Sequence, residues 1–124
     1  MGTIQIKRVY DLADKTDGKR ILVDRLWPRG MKKESAHLDE WLKDVAPTTG
    51  LRKWFHHDTQ KWEEFVARYT HELKQNKAVD KLIDIVNNNK IVTLLYAAHD
   101  AEHNHALVLL RFINEAFKLH PDLE

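Results

Sequence analysis

The sequence predicts a small three-layer α/β domain, with a short, mostly parallel sheet and flanking helices. Apolar runs of strand character occupy residues 20–24 and 91–98, and amphipathic stretches with helical spacing lie between them. A right-handed crossover through the helical block would leave these two strands parallel. The 124 residues suit one domain that can bury a core without disulfides or metals, so we expect a single domain over residues 1–124.

The first two strands are predicted on either side of a turn. Ile4 and Ile6 alternate with polar residues, which indicates a half-covered strand over residues 4–10 near the sheet edge. An Asp-Gly pair at 17–18 marks a turn. The second strand is predicted over residues 20–24, and a proline and a glycine end extended structure shortly afterwards.

Two helices are predicted next. The first has apolar positions at i, i+3, i+4 and i+7, and it stops before Pro47, since proline disfavours helical geometry in the residue preceding it. Those positions are Leu38, Trp41, Leu42 and Val45. Thr48 or Thr49 can cap a short second helix that carries apolar residues at 51–55.

Two further amphipathic helices complete the middle of the chain. Asp58 or Thr59 can cap the longer one, which has glutamates in its first turn, where the helix dipole favours them. Its apolar stripe is Trp62, Phe65, Val66, Tyr69 and Leu73. The other is predicted over residues 79–86, and three asparagines at 87–89 end it in a turn.

The last two elements are a buried strand and a closing helix. The nearly continuous apolar run at 91–98 is typical of a central strand covered on both faces. Asp100 can cap the closing helix, whose apolar side chains spread over a wide arc. We expect that face to pack on the sheet and on a neighbouring helix, with a second subunit as the alternative.

Composition excludes several classes of function. The chain has no cysteine, so thiolate catalysis, disulfides and cysteine-based zinc sites are ruled out. Its charges nearly balance at +1, which does not favour a generic nucleic-acid coat protein or a membrane-surface protein. No stretch resembles a signal peptide or a membrane span. We therefore expect a soluble cytoplasmic protein, and we predict no cofactor.

Polar side chains from distant segments are predicted to converge at the carboxyl ends of the strands, where open parallel sheets bind ligands. The two candidates for acid–base catalysis are Asp24 and His105. The candidate ligand-binding residues are Arg25, Trp27, Arg29, Tyr96 and Asn104. Two permanently charged guanidinium groups beside an indole imply a bound anion or partner carboxylates.

Each candidate also has a structural interpretation. Arg25 and Arg29 would instead pair with carboxylates, Trp27 would pack, and Asp24 would orient an arginine. His105 would be a satisfied core histidine and Asn104 a helix cap. A further possibility is that Arg52, His56 and His57 line the wall of the cleft, although a surface turn explains them equally well.

The histidine-rich segment at 99–105 raises the question of a metal site. Imidazole and carboxylate side chains suit zinc, nickel or iron. In a helix, however, His99 and His103 would share a face while His105 would point elsewhere. No further ligand trio is evident beyond Asp24, His56 and His57. We therefore predict no physiological metal. Gly-rich phosphate loops and serine nucleophile motifs are absent.

The chain resembles the domain of unknown function 488 family of small bacterial proteins, from Ile4 to about Phe112. The most specific part of the resemblance is the block at 20–30, RILVDRLWPRG. Further matching segments are KRVYD at 7–11, Asp17-Gly18, Ala46-Pro47, LRK at 51–53, Phe65 with Tyr69, TLLY at 93–96 and NHA at 104–106. The resemblance implies a small α/β domain without a known cofactor, and it supplies no catalytic residues.

Three classes of function follow. The first is an enzyme or binding protein for a small anionic metabolite, with Arg25 and Arg29 holding the anion. The second is a nucleic-acid-binding protein that uses the same loop together with Lys32 and Lys33. The third is an interaction module or homodimer that uses the closing helix. The first explains the most residues, and we predict it.

Overall fold

Four parallel strands form one sheet in the computed structural model, which describes residues 2–119. They are β1 (Thr3–Arg8), β2 (Lys19–Leu22), β3 (Glu40–Trp41) and β4 (Ile91–Tyr96), in the order β1-β4-β2-β3. As predicted, β1 lies at an edge and β4 is central and largely buried. The predicted α/β class with a parallel sheet is confirmed.

Within residues 2–119, five α-helices accompany the sheet. They are α1 (Lys33–Ala36), α2 (Thr49–Phe55), α3 (Trp62–Lys74), α4 (Ala78–Asn87) and α5 (His105–Leu119). Short 3-10 turns occupy Lys15–Asp17, Lys43–Val45 and Thr59–Lys61. None of the helices in residues 2–119 combines the length and apolar character needed to cross a membrane.

One face of the sheet carries the main core. Residues alternate along a strand, so Val92 and Leu94 of β4 point to this face and pack with Ile21 of β2. The apolar sides of α2, α3, α4 and α5 cover them. Within this layer α5 packs against α3, β1 and β4, which confirms that its wide apolar arc contacts a neighbouring helix.

The opposite face is covered mainly by irregular structure. Val9, Leu22 and Leu95 form a smaller buried cluster there. Partly buried side chains complete it, namely Trp27, Met31, Leu38 and Ala97. Most of this cover comes from the segment between β2 and β3, whose helix α1 has a single turn. The loop after β2 therefore packs on the sheet and is held in place at the carboxyl edge.

The predicted helix over residues 38–45 is wrong. This segment instead forms β3, between the short helix α1 and a 3-10 turn. The free edge of β2 causes the difference, because the backbone N–H groups of Asp39 and Leu42 donate to the carbonyls of Arg20 and Leu22. The Asp39 carboxylate also accepts from the Arg20 backbone N–H, so pairing with the sheet outweighs the helical spacing of the apolar residues.

One predicted cap is confirmed and two are corrected. Thr48 caps α2. Asp58 caps the 3-10 turn before α3 and not α3 itself, whose N-cap position is Lys61. Asp100 does not cap α5: it accepts from the backbone N–H groups of Glu102 and His103, in a turn before the helix. The side-chain oxygen of Asn104 accepts from the N–H of Leu107 and is the cap, since α5 begins at His105.

A buried ion cluster ties β1, β2 and β4 together at the amino end of the sheet. Asp17 pairs with Arg20 and Lys7, and Thr93 donates to the Asp17 carbonyl. Burial by itself raises the pKa of the Asp17 carboxyl, but hydrogen bonds from the Asp14 backbone and from the two cations outweigh it and lower that pKa. The carboxylate therefore stays ionised inside the domain.

Candidate functional site

A cleft of about 750 Å³ opens at the carboxyl ends of β1, β2 and β4. The segments that follow these strands form one side, and the end of α2 with the start of α5 forms the other. This is the edge at which open parallel sheets bind ligands. The structure brings six of the predicted site residues together in its lining: Asp24, Arg25, Trp27, Arg29, Asn104 and His105.

Asp24 and His105 form a pair in the cleft lining. His105 Nε2 lies 2.9 Å from the Val23 carbonyl oxygen and 3.2 Å from Asp24 Oδ1. Both neighbours are acceptors, so we assign the ring proton to Nε2, which leaves Nδ1 as the basic nitrogen. Asp24 Oδ2 accepts from the Ala97 backbone N–H, which fixes the carboxylate against the end of β4.

Asp24 Oδ1 is buried and accepts no well-aligned hydrogen bond from any residue of the described range 2–119. The His105 ring lies beside it, and the Asp24 and His105 side chains are only 17% and 16% exposed. A buried carboxylate oxygen without a donor raises the free energy of the domain unless a nearby proton compensates it. The His105 Nε2–H lies between the Val23 carbonyl and this oxygen, and these two contacts fix the orientation of the ring in the cleft lining.

The Arg25 side chain makes mainly structural hydrogen bonds. Its Nε and Nη2 atoms donate to the carbonyls of Pro47 and Ala46, at 3.0 and 3.1 Å. The Asp44 carboxylate is exposed and lies 4.0 Å from Nη1, a distance at which the interaction is weak. Arg25 thus fastens the loop after β2 to the segment before α2, and at the same time it contributes positive charge to the cleft.

The loop wall of the cleft carries Tyr10, Trp27 and Arg29. The Tyr10 hydroxyl and the Trp27 indole N–H donate to the carbonyls of Arg29 and Met31, both at 2.7 Å. The Arg29 side chain is exposed, and its guanidinium makes no hydrogen bond or ion pair with a residue in the range 2–119. Arg29 is therefore available to a ligand, whereas both aromatic rings are held in place.

The helix wall carries exposed cationic and imidazole groups: Arg52 and Lys53 on α2, and His56 and His57 after it. Within the described residues, the charged ends of Arg52 and Lys53 have no protein partner. The two histidines have φ angles of 44° and 56°, in the left-handed region that costs energy for residues with a Cβ atom. Arg52, His56 and His57 thus lie in the cleft lining, and the two histidines also form the surface turn that precedes the Asp58 cap.

Sequence reasoning missed Lys53, Phe55 and Phe65 as lining residues. The two rings stack with centroids 4.2 Å apart and are mostly buried. Their helical spacing predicts only a place in the core, which is also correct. The one available signal for Lys53 is its place beside Arg52 on a short helix that follows the arginine loop.

Tyr96 and Asn104 have structural surroundings. Tyr96 is buried in the main core, outside the cleft lining, and burial raises the pKa of its hydroxyl. Asn104 lies at the cleft but its amide is engaged, because it donates to the Asp100 carbonyl and accepts from Leu107. Tyr96 has this position because it shares a strand face with Val92 and Leu94.

His103 and Asp100 form a second pair at the edge of the cleft, with Nδ1 2.9 Å from Oδ2. Hydrogen bonds from the Glu102 backbone and from the His103 side chain hold the pKa of Asp100 below its ordinary value. Within residues 2–119, no three side chains of the histidine, aspartate or glutamate type are grouped so as to hold a metal ion.

The cleft has an excess of positive charge. Four cationic side chains and two carboxylates line it, and both carboxylates already face a histidine. Five of the eight histidines in the chain also contribute to the lining. In a chain whose net charge is only +1, this concentration of cations defines a local basic site.

Over most of its length, the chain resembles known bacterial sequences. Residues 3–122 match the family described as "Inactive DUF488-N3 subclade". The uncharacterized protein YeaO of Escherichia coli is 49% identical over 106 residues, which cover 86% of this chain and 92% of that protein. The uncharacterized protein Rv3073c of Mycobacterium tuberculosis is 38% identical over 111 residues, covering 90% and 93% respectively. No solved structure matches the chain.

Proposed function

We propose that this chain, which belongs to the DUF488 family, binds a small anionic ligand in the cleft at the carboxyl ends of its strands. The observation that carries the proposal is the group of three exposed cations, Arg29, Arg52 and Lys53, whose charged ends have no partner in residues 2–119. They come from both walls of one cleft. Cations facing each other across a cleft are stabilised by an anion between them.

The lining cations have different roles in this proposal. Arg29 and Arg52 supply planar guanidinium groups that can bind a carboxylate or phosphate through two parallel hydrogen bonds. Lys53 adds a point charge beside Arg52. Arg25 links the loop after β2 to the Ala46 and Pro47 carbonyls, and it contributes charge at longer range. A ligand would therefore lie between the loop wall and α2.

Binding is favoured over turnover. The matched subclade is described as inactive, and this description supports a binding role for a chain that shares its sequence over residues 3–122. If the ligand is nevertheless processed, His105 Nδ1 is the basic atom and Asp24 the group that orients it. Incubation of the protein with a bound ligand, followed by analysis of the ligand for chemical change, separates the two roles.

The first test is a thermal-shift titration with phosphate, sulfate, citrate and succinate. A ligand at about 100 times its dissociation constant should add about 2.7 kcal/mol to the free energy of unfolding. We expect Arg52→Gln and Arg29→Gln to reduce the shift. Arg111→Gln is the matched control, because Arg111 is exposed on α5, away from the cleft, and should leave the shift unchanged.

Wild-type shifts in both Arg52→Gln and Arg29→Gln, or no shift of the wild type with these four anions or with phenyl phosphate or benzoate, would exclude the proposal. Two other outcomes would identify the alternative classes. Binding of single-stranded oligonucleotides with a steep salt dependence would indicate a nucleic-acid protein. A concentration-dependent mass without any ligand response would indicate a homodimer. A cytoplasmic location is part of the proposal, and the absence of cysteine is in keeping with it.

A further inference from the structure

We propose that the ligand of this cleft is an aromatic anion, whose ring packs against Tyr10 and Trp27 while its carboxylate or phosphate group meets Arg29. This inference rests on the proposed function and specifies the class of ligand. Its basis is the juxtaposition of two fixed aromatic side chains with an unpartnered guanidinium in one wall of the cleft, as far as residues 2–119 are concerned.

The size of the cleft indicates an organic ligand. A water molecule occupies about 30 Å³ in the liquid, and sites for small organic ligands span about 300–1,000 Å³. At about 750 Å³, the cleft is far larger than a single inorganic anion requires. Apolar groups such as Leu26, Pro28, Phe55 and Ala97 contribute to its lining beside the cations. An ion alone would leave this apolar surface in contact with water.

The polar groups of Tyr10 and Trp27 already form hydrogen bonds within the protein. The Tyr10 hydroxyl donates to the Arg29 carbonyl, and the Trp27 indole donates to the Met31 carbonyl. The Arg8 guanidinium lies 4.9 Å from the centre of the Tyr10 ring, and Trp41 meets Trp27 edge-on at 5.4 Å. These contacts fix both rings before a ligand arrives, so little conformational entropy is lost on binding.

The same hydrogen bonds leave ring surface for packing. Tyr10 is 40% exposed although it is a large aromatic residue with a satisfied hydroxyl, and Trp27 is half-buried. A ligand ring can pack on these surfaces in an offset or edge-to-face arrangement. The anionic group is then set close to the ring, because Tyr10 is bonded to the backbone of the residue whose side chain supplies the charge, Arg29.

The test compares matched ligands by isothermal titration calorimetry. Phenyl phosphate is compared with inorganic phosphate, benzoate with acetate, and benzyl alcohol serves as the neutral aromatic probe. We expect the aromatic member of at least one anionic pair to bind about tenfold more tightly, as expected for one added aromatic contact. The pair that shows the difference distinguishes a phosphate ligand from a carboxylate ligand.

Variants then test where in the cleft the aromatic ring of the ligand binds. Tyr10→Leu should remove most of the tenfold advantage, whereas Tyr10→Phe, which loses only the hydroxyl bond to the Arg29 carbonyl, should keep most of it. Phe112→Leu is the control, because Phe112 is a half-buried aromatic residue of α5 outside the cleft lining. Trp27→Leu provides a second measurement, with circular dichroism to verify folding, since Trp27 also packs on the sheet.

The outcomes separate this inference from the proposed function. Equal affinity for aromatic and simple anions, or an unchanged advantage in both Tyr10→Leu and a folded Trp27→Leu, would overturn the aromatic class and leave anion binding intact. Binding of benzyl alcohol as tightly as the aromatic anions would overturn the anionic part, and with it both proposals. Absence of binding by every probe would do the same.

Discussion

Asp24 Oδ1 lies 3.2 Å from His105 Nε2, and this contact links the segment after β2 to the first turn of α5 in the lining of the cleft. Both side chains are mostly buried, and Asp24 Oδ1 has no aligned donor among residues 2–119. The pair is therefore a structural contact between the sheet edge and α5 within the cleft lining.

This contact predicts measurable coupling. In a double-mutant cycle with Asp24→Asn and His105→Gln, we expect an interaction free energy of about 0.5–3 kcal/mol, because the pair is shielded from water. Urea denaturation measures it. The exposed Glu64–Arg68 pair of α3 is the control and should show about 0.3–0.5 kcal/mol. Additive effects at Asp24 and His105 would show that their proximity has no energetic consequence.

The buried ion cluster predicts a dependence of stability on pH. The folded-state pKa of Asp17 is lowered, so its contribution is present above its unfolded pKa of about 4 and is lost as the pH falls through the folded value. Asp17→Asn should cost roughly 3 kcal/mol at pH 7, since Arg20 loses its buried partner charge.

Below about pH 4, the wild type should lose stability more steeply than Asp17→Asn. Urea midpoints measured between about pH 7 and pH 2 test this difference in slope. Asp100→Asn is the control for a partly exposed carboxylate whose pKa is also lowered. Parallel curves for the wild type and Asp17→Asn would show that Asp17 does not titrate differently in the two states.

The left-handed backbone at His57 predicts that stability and binding oppose each other. Glycine adopts this conformation without a Cβ clash, so His57→Gly should raise the free energy of unfolding by about 0.5–1 kcal/mol. It should also weaken anion binding, because an imidazole leaves the cleft wall. His37→Gly is the control, since His37 has a φ of 49° outside the cleft. Unchanged binding in His57→Gly would remove this histidine from the site.

The Tyr69 hydroxyl is predicted to stabilise the core through one hydrogen bond. It is fully buried and donates to the Val45 carbonyl at 2.6 Å. Burial, and then the charges of Glu72 and Asp24, raises the pKa of Tyr69 well above its ordinary value, so the proton remains available. Tyr69→Phe should cost about 1–3 kcal/mol by leaving that carbonyl unsatisfied.

Thermal or urea denaturation of Tyr69→Phe gives this value. Tyr96→Phe is the matched control, because Tyr96 also belongs to the main core but its hydroxyl forms no hydrogen bond with the part of the chain that the structure describes. A loss of the same size in both variants would mean that the hydroxyl bond to Val45 is not the source of the effect.

The elements that can be predicted from the sequence are those with a local periodic pattern of apolar residues. The run at 91–98 indicates a central strand, and the Trp62-to-Leu73 stripe indicates α3, because burial on two faces or on one stripe leaves a periodic signal. The strand β3 has no such signal. Its two residues pair with β2 because Arg20 and Leu22 offer free backbone carbonyls. The sequence of one segment does not indicate that the edge of a strand elsewhere in the chain is available for pairing.

The residues of the site are likewise predictable only where their position follows from the local sequence. Asp24, Arg25, Trp27 and Arg29 can be placed at the sheet edge because they directly follow a strand. The same rule places Tyr96 there, but strand alternation directs its side chain into the core. The places of Phe55 and Phe65 in the cleft lining cannot be predicted from the sequence, because they depend on the path by which α2 returns to the sheet.

The position of β4 in the sheet has a consequence for biosynthesis. This strand separates β1 from β2, and its residues pair with both, including Gln5 with Thr93, 88 positions apart. A ribosome therefore releases both of its partner strands long before β4 itself. The four-stranded sheet can be completed only after residues 91–96 have emerged, and until then the apolar faces of β1 and β2 depend on helices or chaperones for cover.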